Sequence, residues 1–156
     1  MLTRREWFRM SVGGAAAVAL TGAASGFATA LRVAPELVVY KSPTCGCCQA
    51  WVNHARASGF RVTTRDLEDL TEVKATFGVP AALQSCHTTT VAGYVIEGHV
   101  PADLIRGMLA ERPKFAGIAV PGMPVGSPGM EMGARKDGYE VIAFEKNGKT
   151  RVYARR

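Results

Sequence analysis

The 156-residue sequence lacks several features that would place it in a common functional class. It has no internal repeat and no glycine-rich nucleotide-binding motif. Its lysines and arginines form no dense stripe, although the net charge is +6, so nucleic acid is not an expected partner. It also has no run of about 20 strongly apolar residues, the length that crosses a bilayer. A nucleotide-dependent enzyme, a nucleic-acid-binding protein and an integral membrane protein are therefore not expected.

Cysteine is scarce as well, and three of the four cysteines, Cys45, Cys47 and Cys48, lie within four residues. The fourth, Cys86, is followed at once by His87. Packing does not explain three crowded thiols, and a disulfide between such close neighbours removes little entropy from the unfolded chain. Thiolate is the ligand that selects Cu(I), Zn or Fe–S clusters, and it is also the nucleophile of disulfide exchange. The pattern therefore predicts either a metal site or a redox site.

The first thirty residues have the order of a cleavable export signal of the twin-arginine type. Arg4 and Arg5 precede a mildly apolar stretch, and residues 28–30 (Ala-Thr-Ala) supply the small side chains that signal peptidase accepts. Cleavage would remove three arginines and one glutamate and lower the net charge from +6 to +4. We therefore predict a signal at residues 1–30 and one domain at residues 31–156, exported to the periplasm without a stable membrane anchor.

The strand and helix signals predict a thioredoxin-like α/β domain. Strands are expected at residues 37–41, 60–65, 88–91 and 94–100, helices at 45–58, 69–77 or 71–77, and 101–111, and an extra C-terminal hairpin at 139–145 and 149–154 around Asn147-Gly148. Thr44 is expected to cap the first helix, and Gly59 to follow its end. The order β-α-β-α-β-β-α is that of thioredoxin-like folds, whose first strand–helix junction carries a CxxC pair. Cys45 falls at this junction, where the unpaired helix amides stabilise a thiolate. Cys86 lies just before the third predicted strand, a stretch that passes beside the same junction in such folds, so it is expected to join the other three cysteines.

A loop rich in proline, glycine and methionine lies between the third helix and the hairpin. This segment, residues 120–132, is called the methionine loop below, and it contains Met123, Met130 and Met132. Thioether sulfur is a soft ligand, so Met123 and Met130 are candidate copper ligands, with packing onto the core as the alternative. Pro124 and Pro128 stiffen the loop, which would suit a lid over the sulfur site.

The three histidines receive different interpretations. His87 is a candidate metal ligand, or a group that orients the thiolates. His54 lies two helical turns from Cys47, too far to share one ion, and is expected to be solvated or to cap a helix. His99 precedes a predicted helix and is expected to be structural.

With these residues in view, the chain resembles the CopG-type family of exported copper-resistance proteins, long catalogued as a domain of unknown function. The resemblance spans about residues 36–154. It is carried by residues 42–48 (Ser-Pro-Thr-Cys-Gly-Cys-Cys), 79–80 (Val-Pro), 85–88 (Ser-Cys-His-Thr), 93–94 (Gly-Tyr), 97–101 (Glu-Gly-His-Val-Pro) and 120–131. The resemblance implies a thioredoxin-like domain that binds copper through Cys45, Cys47, Cys48 and Cys86, with a role in copper handling or copper redox conversion.

Three functions remain open at this level. The leading one is a periplasmic protein that binds Cu(I) through the four cysteines, serves copper resistance, and exchanges copper ions with other periplasmic copper-handling proteins. The second is a thiol–disulfide oxidoreductase with Cys45 as nucleophile and Cys48 as resolving thiol, so whether the chain is an enzyme stays open. The third is a structural zinc site made by Cys45, Cys48, Cys86 and His87, which leaves Cys47 and the methionine loop unexplained.

Overall fold

The computed structural model describes residues 35–156, so the predicted signal and the predicted domain boundary after residue 30 lie outside the described residues. The elements are β1 (Glu36–Lys41), α1 (Gly46–Ala57), β2 (Arg61–Asp66), α2 (Thr71–Thr76), a 3₁₀ turn (Ala81–Leu83), β3 (His87–Val91), β4 (Tyr94–Glu97), α3 (Ala102–Glu111), β5 (Gly117–Ala119), β6 (Glu140–Phe144) and β7 (Thr150–Arg155). Within residues 35–156, no helix has the length and apolar character needed to cross a membrane.

The seven strands form one mixed sheet in the order β2-β1-β3-β4-β5-β6-β7. β1 pairs in parallel with β2 and antiparallel with β3, and β3 and β4 form the predicted hairpin. The thioredoxin-like α/β expectation is confirmed. The C-terminal hairpin, β6 and β7, continues this sheet because β5, which the sequence analysis did not predict, joins β4 to β6.

Two apolar clusters cover the two faces of the sheet. Trp51 of α1 and Ile105 of α3 belong to the larger cluster, and Phe144 belongs to the smaller one near α2 and the 3₁₀ turn. Side chains alternate along each strand, so Val95 of β4 joins the smaller cluster and its neighbour Ile96 joins the larger one. Fully burying a side chain such as Ile96 stabilises the fold by about 1.5–3 kcal/mol. The sheet therefore provides a rigid base for the segments at its ends.

The chain between β4 and α3 is shorter and more sharply turned than predicted. The strand predicted at residues 94–100 ends at Glu97, because Gly98 adopts a left-handed φ of +71° and its N–H donates to the carbonyl of His87. Helix α3 begins at Ala102, and Pro101 is its N-cap, where the sequence analysis placed the first helical residue. This turn carries His99 into the interior, next to the start of β3.

Candidate metal centre

The first part of the site is the N-terminus of α1, which follows β1 through a short turn. Cys45 is the N-cap of this helix, and its sulfur accepts a hydrogen bond from the Cys48 N–H at 3.3 Å. The prediction that Thr44 is the cap was wrong, because the Thr44 hydroxyl instead lies 3.1 Å from the Ser42 hydroxyl in the preceding turn. Gly59 does follow the helix end with a left-handed φ, as predicted. The cysteine sulfur thus occupies the position where helix amides favour negative charge.

All four cysteine sulfurs lie together at this helix end. Cys45 and Cys48 are joined by a disulfide, while Cys47 and Cys86 are free thiols. The sulfur of Cys47 lies 3.5 Å from that of Cys45 and 3.9 Å from that of Cys86. The four sulfur atoms are all within 4.8 Å of one another, and we call them the sulfur group. The sequence prediction that Cys86 joins the other three cysteines therefore agrees with the fold.

Cys86 also belongs to a second group, which contains two imidazoles. His87 begins β3, and its ring is fully buried between Trp51, at 4.7 Å between ring centres, and His99, at 5.0 Å. The Nδ1 atom of His87 lies 3.3 Å from the Cys86 sulfur. Its Nε2 atom has no hydrogen-bond partner among the described residues. A buried imidazole nitrogen without a partner is costly unless something binds it, which fits a ligand atom.

His99 contacts Cys86 directly. Its Nε2 atom lies 3.0 Å from the Cys86 sulfur, and its Nδ1 atom lies 2.8 Å from the Pro128 carbonyl oxygen. Because a carbonyl only accepts, Nδ1 carries the proton, and in the neutral ring Nε2 keeps its lone pair facing the sulfur. We call Cys86, His87 and His99 the histidine group, since one nitrogen or sulfur atom from each lies within 4.8 Å of the others.

Burial of Cys86, His87 and His99 favours the neutral form of each side chain. Burial lowers the pKa of His87 well below its ordinary value, with the His99 and Lys74 charges acting in the same direction. Burial also lowers the pKa of His99, against the opposing effects of its Pro128 hydrogen bond and the Glu131 charge. Burial and then repulsion by Cys47 raise the pKa of the Cys86 thiol to about 12. Neutral imidazole is the form that ligates metals, whereas Cys86 must lose a proton to do so.

The methionine loop packs against the start of α1. A Cβ atom at Gly129 would lie 2.7 Å from the Trp51 nitrogen and 2.8 Å from the Cys47 carbonyl oxygen, so the loop backbone contacts the helix directly. The side chain of Met130, the next residue, is half-buried, whereas Met123 is 51% exposed. The loop therefore lies beside the sulfur group, as expected for a lid, and ligation by either methionine stays a prediction.

One side chain that contacts Cys86 was not predicted from the sequence to be part of the site. His99 was expected to be structural, and its contact with the Cys86 thiol becomes visible only in the fold. His54 is placed in neither group, and its Nε2 accepts a hydrogen bond from the Ala102 N–H at the start of α3, at 3.3 Å. This agrees with the predicted capping role. In the sequence, the position of His99 shortly before a predicted helix indicated a fixed backbone. It did not indicate that a thiol lies next to the ring.

Solved structures and a family model are similar to this chain. The family model, described as "Protein of unknown function, DUF411", matches residues 83–130. A solved structure named "Copper resistance protein copG- Form 2" is 45% identical with a TM-score of 0.75, and the match covers 79% of this chain and 98% of that one. A second, named "Copper resistance protein copG- Form 1", is 46% identical with a TM-score of 0.74, covering 78% and 96% respectively. A comparison with curated protein sequences gave no significant match.

Proposed function

The chain belongs to the CopG family of copper-resistance proteins, and we propose on this basis that it binds copper, as Cu(I), through Cys45, Cys47, Cys48 and Cys86. The observation that carries the proposal is the convergence of four sulfur atoms within 4.8 Å of one another. Thiolates are soft ligands that select Cu(I), and bridging thiolates let a compact group hold more than one ion. The metal is cargo, which the protein holds in a harmless form and passes on.

The histidine group would complete the copper site with nitrogen ligands. His99 directs a lone pair at the Cys86 sulfur, and the Nε2 atom of His87 is buried without a partner among residues 35–156. A metal bound to Cys86 in place of its proton would be within reach of both rings. The Pro128 carbonyl holds the His99 ring through Nδ1, the arrangement that usually fixes a metal-binding imidazole. Met130 is the further candidate from the methionine loop.

The proposed place of action is the periplasm. The twin-arginine pattern and the small residues before residue 31 support export, and the twin-arginine route carries proteins that are already folded. Resistance then follows from holding copper outside the cytoplasm and exchanging it with other periplasmic copper-handling proteins. In an oxidising compartment the Cys45-Cys48 pair can form a disulfide as well as remain a dithiol.

The disulfide between Cys45 and Cys48 favours a second candidate, which is thiol–disulfide chemistry. In its simplest form Cys45 attacks a substrate disulfide and Cys48 resolves the mixed disulfide. In a version coupled to the metal, the two thiols form one S–S bond and release two protons and two electrons. Two Cu(II) ions each accept one of these electrons and become Cu(I). The chain would then be a copper oxidoreductase as well as a copper-binding protein.

Anaerobic titration of the fully reduced protein with Cu(I), against a chromophoric chelator, tests the proposal. Copper is counted per chain for the wild type, for Cys47→Ser and for the control His54→Gln, whose histidine lies in neither group. We expect tight binding in the wild type and the control, and reduced capacity in Cys47→Ser. If the chelator keeps all the copper, the copper proposal fails. If Cys47→Ser binds copper normally and still reduces insulin disulfides, the oxidoreductase is the better assignment.

A further inference from the structure

A buried carboxylate lies next to the Cys86-His87 segment and has no part in the proposed copper binding. Glu97 is the last residue of β4 and is fully buried. Its Oε1 atom accepts the Ser85 N–H at 2.7 Å and the ammonium group of Lys74, which is also buried. Its Oε2 atom accepts the Thr88 hydroxyl at 2.7 Å. One side chain therefore gathers three donors from two other segments of the chain.

Two of these donors are the residues directly before and after the Cys86-His87 pair. Ser85 and Thr88 flank the two candidate ligands, so the carboxylate holds both sides of the segment that presents them. The same strand end holds the segment from a further point, because the Gly98 N–H donates to the His87 carbonyl at 2.9 Å. The segment is thus held at three points around the thiol and the imidazole, at residues 85, 87 and 88.

The network also reaches the methionine loop and His99. The Ser85 hydroxyl donates to the Gly122 carbonyl, which anchors the start of the loop whose Pro128 holds the His99 ring. His99 itself follows Glu97 by two residues. Every part of the histidine group therefore connects to Glu97 either through one hydrogen bond or through the adjoining backbone.

Stability alone is a weak reason for a charged pair in this position. Burying Glu97 raises its pKa through loss of solvent, and the charge and hydrogen bond of Lys74 act against that effect. Replacing a buried ion pair by apolar side chains of similar size is often neutral or stabilising for a fold. An ionised carboxylate differs from an apolar side chain in accepting several hydrogen bonds in fixed directions. That property suits a group that must hold other residues in place.

Building on the proposed copper site, we propose that Glu97 is a positioning residue, whose carboxylate clamps Ser85 and Thr88 so that the Cys86 thiol and the His87 ring face His99 and the sulfur group. Lys74 neutralises the buried charge and adds a hydrogen bond to Thr88 at 3.1 Å. The clamp touches no copper ion. It acts by keeping the ligand atoms in their binding geometry before the metal arrives, which lowers the ordering cost of binding.

Two double variants that share one change test this proposal. Lys74→Met/Glu97→Gln removes both charges but keeps a polar side chain, whose oxygen can accept the Ser85 N–H while its amide N–H donates to the Thr88 hydroxyl. Lys74→Met/Glu97→Leu removes both charges and the acceptor. Cu(I) affinity is measured on the full chain by chelator competition, together with the thiolate-to-copper ultraviolet absorption and the melting temperature. Val141→Ala, which opens space in the core at β6, is the control for lost stability without a change at the site.

We expect the Leu variant to bind Cu(I) about tenfold or more weakly and with an altered absorption band, the range typical for removing a group that orients metal ligands. The Gln variant should bind within about threefold of the wild type, since its acceptor is retained. Val141→Ala should have a lower melting temperature but bind Cu(I) with normal affinity. Equal affinity and equal spectra for the Leu and Gln variants would overturn the proposal.

If the Leu variant does not fold, a milder substitution tests the positioning role of Glu97. Thr88→Val removes one donor to Glu97 and keeps the shape of the side chain. It should weaken Cu(I) binding measurably, whereas unchanged binding and an unchanged spectrum would overturn the positioning role. A wild-type protein that binds no Cu(I) contradicts the copper proposal itself. Wild-type binding with no effect in these variants contradicts only the role of Glu97.

Discussion

The sulfur of Cys86 and the Nε2 atom of His99 lie 3.0 Å apart, although the two residues are thirteen positions apart in the chain. The contact joins the two donor groups of the site, because Cys86 belongs to both the sulfur group and the histidine group. A copper ion at Cys86 would therefore have soft sulfur on one side and imidazole nitrogen on the other.

Replacing His99 by phenylalanine should weaken Cu(I) binding by about tenfold or more, as expected when a group that joins or supports a metal site is lost. The variant keeps an aromatic ring against His87 but removes both nitrogens. Chelator competition measures the change. His54→Gln is the control, because glutamine can still accept the Ala102 N–H. Equal affinities for the two variants would show that His99 is structural, as the sequence analysis expected.

Adding a methyl group at Gly129 should displace the methionine loop from α1. The new Cβ would clash with backbone atoms of Trp51 and Cys47, and φ is +85°, a conformation that costs alanine about 1–2 kcal/mol. We expect the clash to add about 1–3 kcal/mol to that loss of unfolding free energy, measured by urea denaturation. Copper affinity should fall as well, since Pro128 then holds His99 less firmly.

Gly133→Ala is the matched control for the loop variant. Gly133 also has a positive φ, +64°, but no atom of the described part of the chain lies within 4 Å of its added Cβ. Gly133→Ala should therefore lose only the about 1–2 kcal/mol that a positive φ costs alanine. Its copper affinity should stay normal. If both alanine variants lose the same stability and bind copper equally, the contact between Gly129 and α1 does not matter for the site.

Cys86 in the metal-free disulfide form should react slowly with iodoacetamide at neutral pH. Its pKa is raised to about 12, so the reactive thiolate is rare and its fraction grows about tenfold per pH unit below that value. We expect the rate at Cys86, followed by mass spectrometry, to keep rising from about pH 7 to pH 10. In urea the rate should level off above about pH 9, as for an ordinary thiol. A plateau at the same pH in the folded protein would contradict the shift.

Changing both Arg4 and Arg5 to lysine should block export. The unprocessed chain would then accumulate in the cytoplasm, because the twin-arginine pair is the part of the signal that its receptor reads. Cell fractionation and the mass of the purified chain measure the outcome. Arg9→Lys, which leaves the pair intact, should be exported and processed normally. Normal export of the double variant would contradict the predicted route.

The fold was largely predictable because its signals are local. The apolar run before Ser42, the alternation that sends Val95 and Ile96 to opposite faces, and the Asn147-Gly148 turn each indicate their own element. β5 was missed because Gly117–Ala119 is too short to show alternation, and its strand character comes from pairing with β4 and β6. Thr44 was a reasonable cap by residue type, but Cys45 takes the position because its sulfur reaches the Cys48 amide.

The sequence by itself determined that three thiols meet at a strand–helix junction, since Cys45, Cys47 and Cys48 are neighbours in the chain. The predicted thioredoxin-like order and the family resemblance both added Cys86 to them. Only the tertiary structure decided that His99 contacts Cys86 and that Glu97 holds both sides of the Cys86-His87 segment. The physical reason is that these contacts depend on the register of β3 against β4 and on the path of a loop from residues 120 to 132. Such long-range packing is set by the whole fold, whereas turns, caps and alternation are set by adjacent residues.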